Sequence, residues 1–130
     1  MTKRLVLVDS SALIDFSRNA PSPIADVVQA AVEERRAAVC VVIAAEVLTG
    51  CRTAAEYRRM QLWLASVRWL PLTDECWSRA AALGFNLRRS GITVPLTDRL
   101  VIVTARLHDA ELLHHDAHFD LIGDTPDTVQ

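Results

Sequence analysis

The chain has 130 residues, 51% of them hydrophobic and 23% charged, with a formal net charge of -2. That length suits one domain with a real core, and the composition excludes disordered and collagen-like chains. The acidic balance counts against a general DNA binder, although 13 of the 14 basic residues are arginines, whose forked donors suit phosphate.

Leu5-Val6-Leu7-Val8 is an unbroken aliphatic run, which predicts a strand buried on both faces as in a parallel sheet. It is far too short for a signal peptide or a membrane span, so a cytoplasmic protein with no membrane partner is expected. Asp9-Ser10-Ser11 ends the run, and either serine is placed to cap a short helix through Leu13, Ile14 and Phe16. Pro21-Ser22-Pro23 interrupts, and a second helix follows with Ile24, Val27, Val28, Ala31 and Val32 at helical spacing. Val39 to Ile43 predicts a second buried strand, running into a helix over Ala44 to Leu48 that stops near Gly50. Ala54 to Val67 predicts a helix with Tyr57, Met60, Leu64 and Val67 on one stripe. Trp69 to Leu72 is a short extended piece. Asp74 to Arg89 predicts another helix, lined by Cys76, Ala80, Leu83 and Leu87, with Gly91 just past its end. Thr97 reads as the N-cap of a helix through Leu100, Val101, Thr104 and Leu107. Glu111 to His115 is short and extended, Phe119 to Ile122 is the last recognisable element, and the polar tail after Gly123 is expected to fray.

Strands separated by helices imply an α/β fold: a central, mainly parallel sheet of about four to five strands flanked by helices. The reading places one domain over residues 1–130. Cys40, Cys51 and Cys76 are odd in number and contain no Cys-x-x-Cys pair, so neither a disulfide framework nor a zinc finger follows.

Open parallel sheets bind ligands beyond the carboxyl ends of their strands. Asp9 follows the first strand, Glu46 the second, and Asp116 the last extended segment, while Asp98 lies in the first turn of the helix after Thr97. Each acid has a plainer role on its own. Asp9 suits a helix cap, Glu46 and Asp98 suit first turns favoured by the helix dipole, and Asp116 has Asp120, Asp124 and Asp127 as company. Their joint placement at one sheet edge is harder to explain that way, because converging carboxylates repel and raise one another's pKa values. A divalent cation removes that conflict, and oxygen-only ligands point to Mg²⁺ or Mn²⁺. Such an ion can polarise a phosphoryl oxygen and acidify a bound water.

Val8-Asp9-Ser10-Ser11-Ala12-Leu13-Ile14 resembles the opening motif of PIN-domain nucleases, and Ala45-Glu46-Val47-Leu48-Thr49-Gly50 their glutamate motif. Thr97-Asp98-Arg99-Leu100-Val101-Ile102-Val103-Thr104-Ala105 is similar to their third acidic motif. His114-His115-Asp116-Ala117-His118-Phe119-Asp120 is similar to the last, an Asp after a strand with an aromatic close behind. The four occur in order over nearly the whole chain, and the compact length and final Asp-x-x-Phe look most like the VapC toxins. The resemblance implies a PIN-like fold and a Mg²⁺-dependent endoribonuclease, with Mn²⁺ able to substitute, that hydrolyses RNA as the toxic half of a toxin–antitoxin pair. It also implies a homodimer held inactive by a VapB-type antitoxin. Carried over residue by residue, Asp9, Glu46, Asp98 and Asp116 form the catalytic, metal-binding quartet, with Ser11 a polar neighbour. One position departs: many relatives carry a second acid two places after the last Asp, where this chain has His118. Asp120 is the alternative fourth ligand.

His114, His115 and His118 match no standard zinc spacing and read as surface or groove-lining residues. His108 reads as a C-terminal partner of its helix dipole. The pairs Arg35-Arg36, Arg58-Arg59 and Arg88-Arg89 suit either an RNA path or solvated helix faces. Competing functions fare worse. A receiver-type signalling domain needs a lysine after a late strand, and the only lysine is Lys3. An aspartate-nucleophile phosphatase wants a second Asp where Ser11 stands. A PIN scaffold that binds without cleaving is the remaining alternative.

Overall fold

The computed structural model describes residues 3–18 and 22–130; Pro21, part of the expected break, lies outside them. Four strands, β1 (Val6–Val8), β2 (Ala37–Val39), β3 (Arg68–Trp69) and β4 (Glu111–Leu113), form one sheet in the order β3-β2-β1-β4. Every pairing is parallel, with Leu7 set against Ala38 on one side and Leu112 on the other. All residues of β1 and β2 are buried. That is why both read as unbroken aliphatic runs: strands covered on both faces have no polar side to alternate with.

Among the described residues seven helices cover the sheet: α1 (Ser10–Ser17), α2 (Pro23–Glu33), α3 (Val41–Thr49), α4 (Ala54–Ala65), α5 (Asp74–Arg89), α6 (Leu96–Leu107) and α7 (Ala117–Ile122). Three of them, α2, α4 and α5, begin on hydroxyl caps, with Ser22, Thr53 and Thr73 accepting from Ala25, Glu56 and Cys76 backbone N–H groups. The α5 bounds are those the sequence predicts, and Gly91 beyond it adopts φ +77°, a conformation that suits glycine. Leu7, Leu13, Ile43, Leu83, Leu87 and Val101 are fully buried between helices and sheet. Each such side chain contributes on the order of 1.5–3 kcal/mol.

Four local expectations need correction. Asp9, rather than Ser10 or Ser11, is the N-cap of α1, its carboxylate accepting from Ser11 N. The second strand ends at Val39, and Val41 to Ile43 already belong to α3. Thr97 lies inside α6, whose N-cap is Pro95; a proline there leaves the helix without a side-chain acceptor. The last extended segment stops at Leu113, and His115 lies beyond the strand.

After Gly123 the chain lies against α5 and α6. Asp127 receives Arg79 at 3.0 Å and Arg106 at 3.3 Å, and Asn86 donates to the carbonyls of Pro126 and Thr128. Among the described residues no helix is long and apolar enough to cross a membrane.

Candidate active site

The strand ends bring the acids together. Asp9 directly follows Val8, and its backbone N–H donates to Leu113 O at 2.9 Å, so the ends of β1 and β4 meet there. Its side chain is buried, with Oδ2 accepting from Ser11 N at 3.3 Å and Ser11 Oγ at 2.8 Å. The same serine oxygen accepts from His115 N at 2.9 Å. One hydroxyl thus ties the first turn of α1 to the segment after β4.

Asp98 occupies the first turn of α6 and is buried to 8% exposure. Asp116 is the N-cap of α7, its Oδ1 accepting from His118 N at 2.9 Å. Glu46 is half-buried and stands in the second turn of α3 rather than at its start, because that helix begins at Val41. A first-turn dipole role therefore does not account for it.

The electrostatics record the convergence. Burial pushes the Glu46 carboxyl above the usual glutamate range, and the negative charges of Asp9, Asp98 and Asp116 push it further. Burial likewise raises Asp98; a hydrogen bond from His118 opposes the shift, and Asp116 and Asp9 add to it. Acids held this way favour a counter-charge, and the donors present are those a divalent cation takes.

His118 is the residue that sequence reasoning left out of this group. Its Nδ1 lies 2.8 Å from Asp98 Oδ2 and 3.4 Å from Asp116 Oδ1, and the ligand atoms of the three residues all lie within 4.8 Å of one another. The spacing Asp116-x-His118 was the only signal available, and it gave no hint of Asp98. The other histidines turn elsewhere. His114 packs on Phe119 with ring centroids 4.8 Å apart, and His115 Nδ1 is 3.0 Å from Asp15. His108 caps the end of α6, its ring 3.0 Å from Thr104 O. The cluster of Asp98, Asp116 and His118 takes in neither Asp9 nor Glu46, nor Asp120, which is exposed and lies 3.9 Å from His114.

The arginine pairs differ in setting. Arg36 is bound to Glu34 at 2.7 Å. Arg58 and Arg59 are exposed on α4. Arg88 and Arg89 end α5 and line a cavity of about 590 Å³ with Phe85, Thr93 and Arg99, the residue next to Asp98. The Arg89 guanidinium sits 5.5 Å from the centre of the Phe85 ring.

A four-stranded parallel sheet with acids gathered at its carboxyl edge is the arrangement of a PIN domain. The PIN-domain family model matches residues 6–124, and the chain belongs to that family. Ribonuclease VapC11 of Mycobacterium tuberculosis is 32% identical over 123 residues, 92% of each chain. Among solved structures, a toxin–antitoxin complex from Klebsiella pneumoniae superposes with a TM-score of 0.73 at 20% identity, covering 96% of both chains. VapBC2 from Rickettsia felis, bound to a DNA fragment from its promoter, gives a TM-score of 0.78 at 13% identity, covering 94% of this chain and 96% of that one. At those identities the two structures speak for the fold.

Proposed function

We propose that the protein is a metal-dependent endoribonuclease acting as the toxin of a toxin–antitoxin pair. The observation that carries the reading is the gathering of acids at the carboxyl edge of the sheet, where Asp98 and Asp116 offer ligand atoms within 4.8 Å of each other and Asp9 follows directly on β1. The likeness to a named VapC ribonuclease over 92% of the chain supports the substrate class. Asp9 and Asp98 hold the cation, Mg²⁺ with Mn²⁺ able to substitute, and Asp116 completes its oxygen ligands. When bound, the cation supplies positive charge to the scissile phosphate and acidifies water at that edge of the sheet. Glu46, with its raised proton affinity, is suited to accept the proton released as water attacks phosphorus. Ser11 holds the Asp9 carboxylate in place.

The partners follow from the same likeness: an RNA substrate, a second copy of the chain, and a VapB-type antitoxin, all in the cytoplasm. Phe16, Met60 and Trp63 line a hollow between α1 and α4 that offers apolar area to a protein partner.

The test uses antitoxin-free protein with structured RNAs and Mg²⁺ or Mn²⁺. Wild type cleaves, chelation abolishes cleavage, and Asp9→Asn and Asp98→Asn each lose about 100-fold or more. Cleavage without metal, or undiminished cleavage by both variants, would sink the mechanism. Absence of cleavage on all cellular RNA would turn the reading to a binding-only PIN scaffold.

A further inference from the structure

The family likeness accounts for the acids and leaves His118 unexplained. Its position is unlike that of a surface histidine. The imidazole reaches 20 residues back in sequence to Asp98, which is only 8% exposed, and its own backbone N–H fixes Asp116. Two neighbouring ligands on one octahedral ion about 2.1 Å from each stand about 3 Å apart. The separations of His118 Nδ1 from Asp98 Oδ2 and Asp116 Oδ1, 2.8 and 3.4 Å, bracket that value.

We propose that His118, as the tautomer with its ring hydrogen on Nε2 and Nδ1 free, is a nitrogen ligand of the catalytic cation, and that it makes the site select a first-row transition ion over Mg²⁺. The proposal rests on the metal-dependent reading above and reverses its order of ions, setting Mn²⁺ ahead of Mg²⁺. Mg²⁺ takes oxygen almost exclusively and gives up water reluctantly, so an imidazole in its shell adds little. Transition ions accept imidazole readily, and among them Mn²⁺ also tolerates a shell otherwise made of carboxylates. An aspartate at this position would give an all-oxygen site. The histidine exchanges one unit of negative charge for a softer donor, which weakens the hold on Mg²⁺ more than that on Mn²⁺.

The experiment uses the full chain, stripped of metal and titrated with Mn²⁺ and with Mg²⁺ by calorimetry, alongside His118→Asp and His118→Ala. Residue 118 is exposed in the first turn of α7, where an aspartate is compatible with the helix. The Mn²⁺-over-Mg²⁺ affinity ratio of the wild type should exceed that of His118→Asp by about tenfold or more. Pulsed electron paramagnetic resonance of the Mn²⁺-loaded wild type should show coupling to a ¹⁴N nucleus that disappears in His118→Ala. Mn²⁺ binding without nitrogen coupling overturns the proposal and leaves the nuclease reading standing. So does coupling that survives in His118→Ala, or a ratio unchanged in His118→Asp. Failure of both ions to bind the wild type would remove the metal-dependent reading itself, and this proposal with it.

Discussion

The Ser11 hydroxyl donates to Asp9 Oδ2 at 2.8 Å while its oxygen accepts the backbone N–H of His115 at 2.9 Å. A small side chain thereby fixes the rotamer of a buried acid and the path of the chain after β4. Ser11→Ala removes both bonds without adding bulk. Outer groups that orient ligands are worth roughly 10–100-fold in metal affinity. We expect a loss of that size for Mn²⁺ or Mg²⁺ by calorimetry, with the melting temperature lowered by a few degrees at most. Unaltered affinity would reduce Ser11 to a local turn residue.

Glu46 and Asp98 both hold their protons above the ordinary carboxylate range. Between the ordinary value and the raised one, the folded protein binds more protons than the unfolded chain, so stability falls as pH rises through that window. Metal-free protein melted at a series of pH values from about 4 upward should lose melting temperature on the approach to neutrality. Glu46→Gln should shrink that loss and raise the melting temperature at neutral pH. Saturating divalent cation should act on the wild type in the same direction. Parallel pH profiles for wild type and Glu46→Gln would contradict the crowding of these acids.

Much of this frame could be read from the chain, for identifiable reasons. Within the run Leu5 to Val8, the strand residues Val6 to Val8 are buried on both faces, so their hydrophobicity is the signal itself. The α5 helix is bracketed by a threonine cap and a glycine with positive φ, and its bounds were legible to the residue. The β2–α3 junction was not. Ala37 to Ala45 stays apolar through strand and helix, and Cys40 caps α3 with no side-chain bond, so no polar residue marks the change. At α6 the threonine at position 97 drew attention from Pro95, whose backbone makes the turn. The acids could be placed at one edge because strand ends define that edge. The Asp98–His118 contact could not, since it depends on how the first turns of α6 and α7 face each other.

The Arg88–Arg89 end of α5 gives a salt-dependence prediction. Both side chains line the cavity beside Arg99, and each phosphate neutralised on a single strand contributes about 0.7 to the slope of log affinity against log salt. Replacing both with alanine should lower the slope for a catalytically silenced protein binding RNA by about 1.4. An unchanged slope would assign the pair to a solvated helix end.

Gly84 supplies a packing prediction. A Cβ there would overlap the Arg99 guanidinium, which crosses α5 to donate to Ala80 O at 2.6 Å and, through Nε, to Val94 O at 3.1 Å. Alanine in a helix interior gains about 1 kcal/mol over glycine. Overpacking against a side chain held at two points costs about 1–3 kcal/mol. The second effect should prevail, so Gly84→Ala should lower stability in a denaturant titration. A gain in stability would show that Arg99 moves aside freely.

The strand order has a consequence in time. β1 is made well before β4, one of its two neighbours, and Asp116 and His118 follow β4. Domains gather their N-terminal parts first during synthesis, while pairings between distant segments come late. A growing chain therefore carries Asp9, Glu46 and even Asp98 with no completed site among them. The four acids therefore come together only once the chain beyond β4 has been made and β4 has taken its place beside β1.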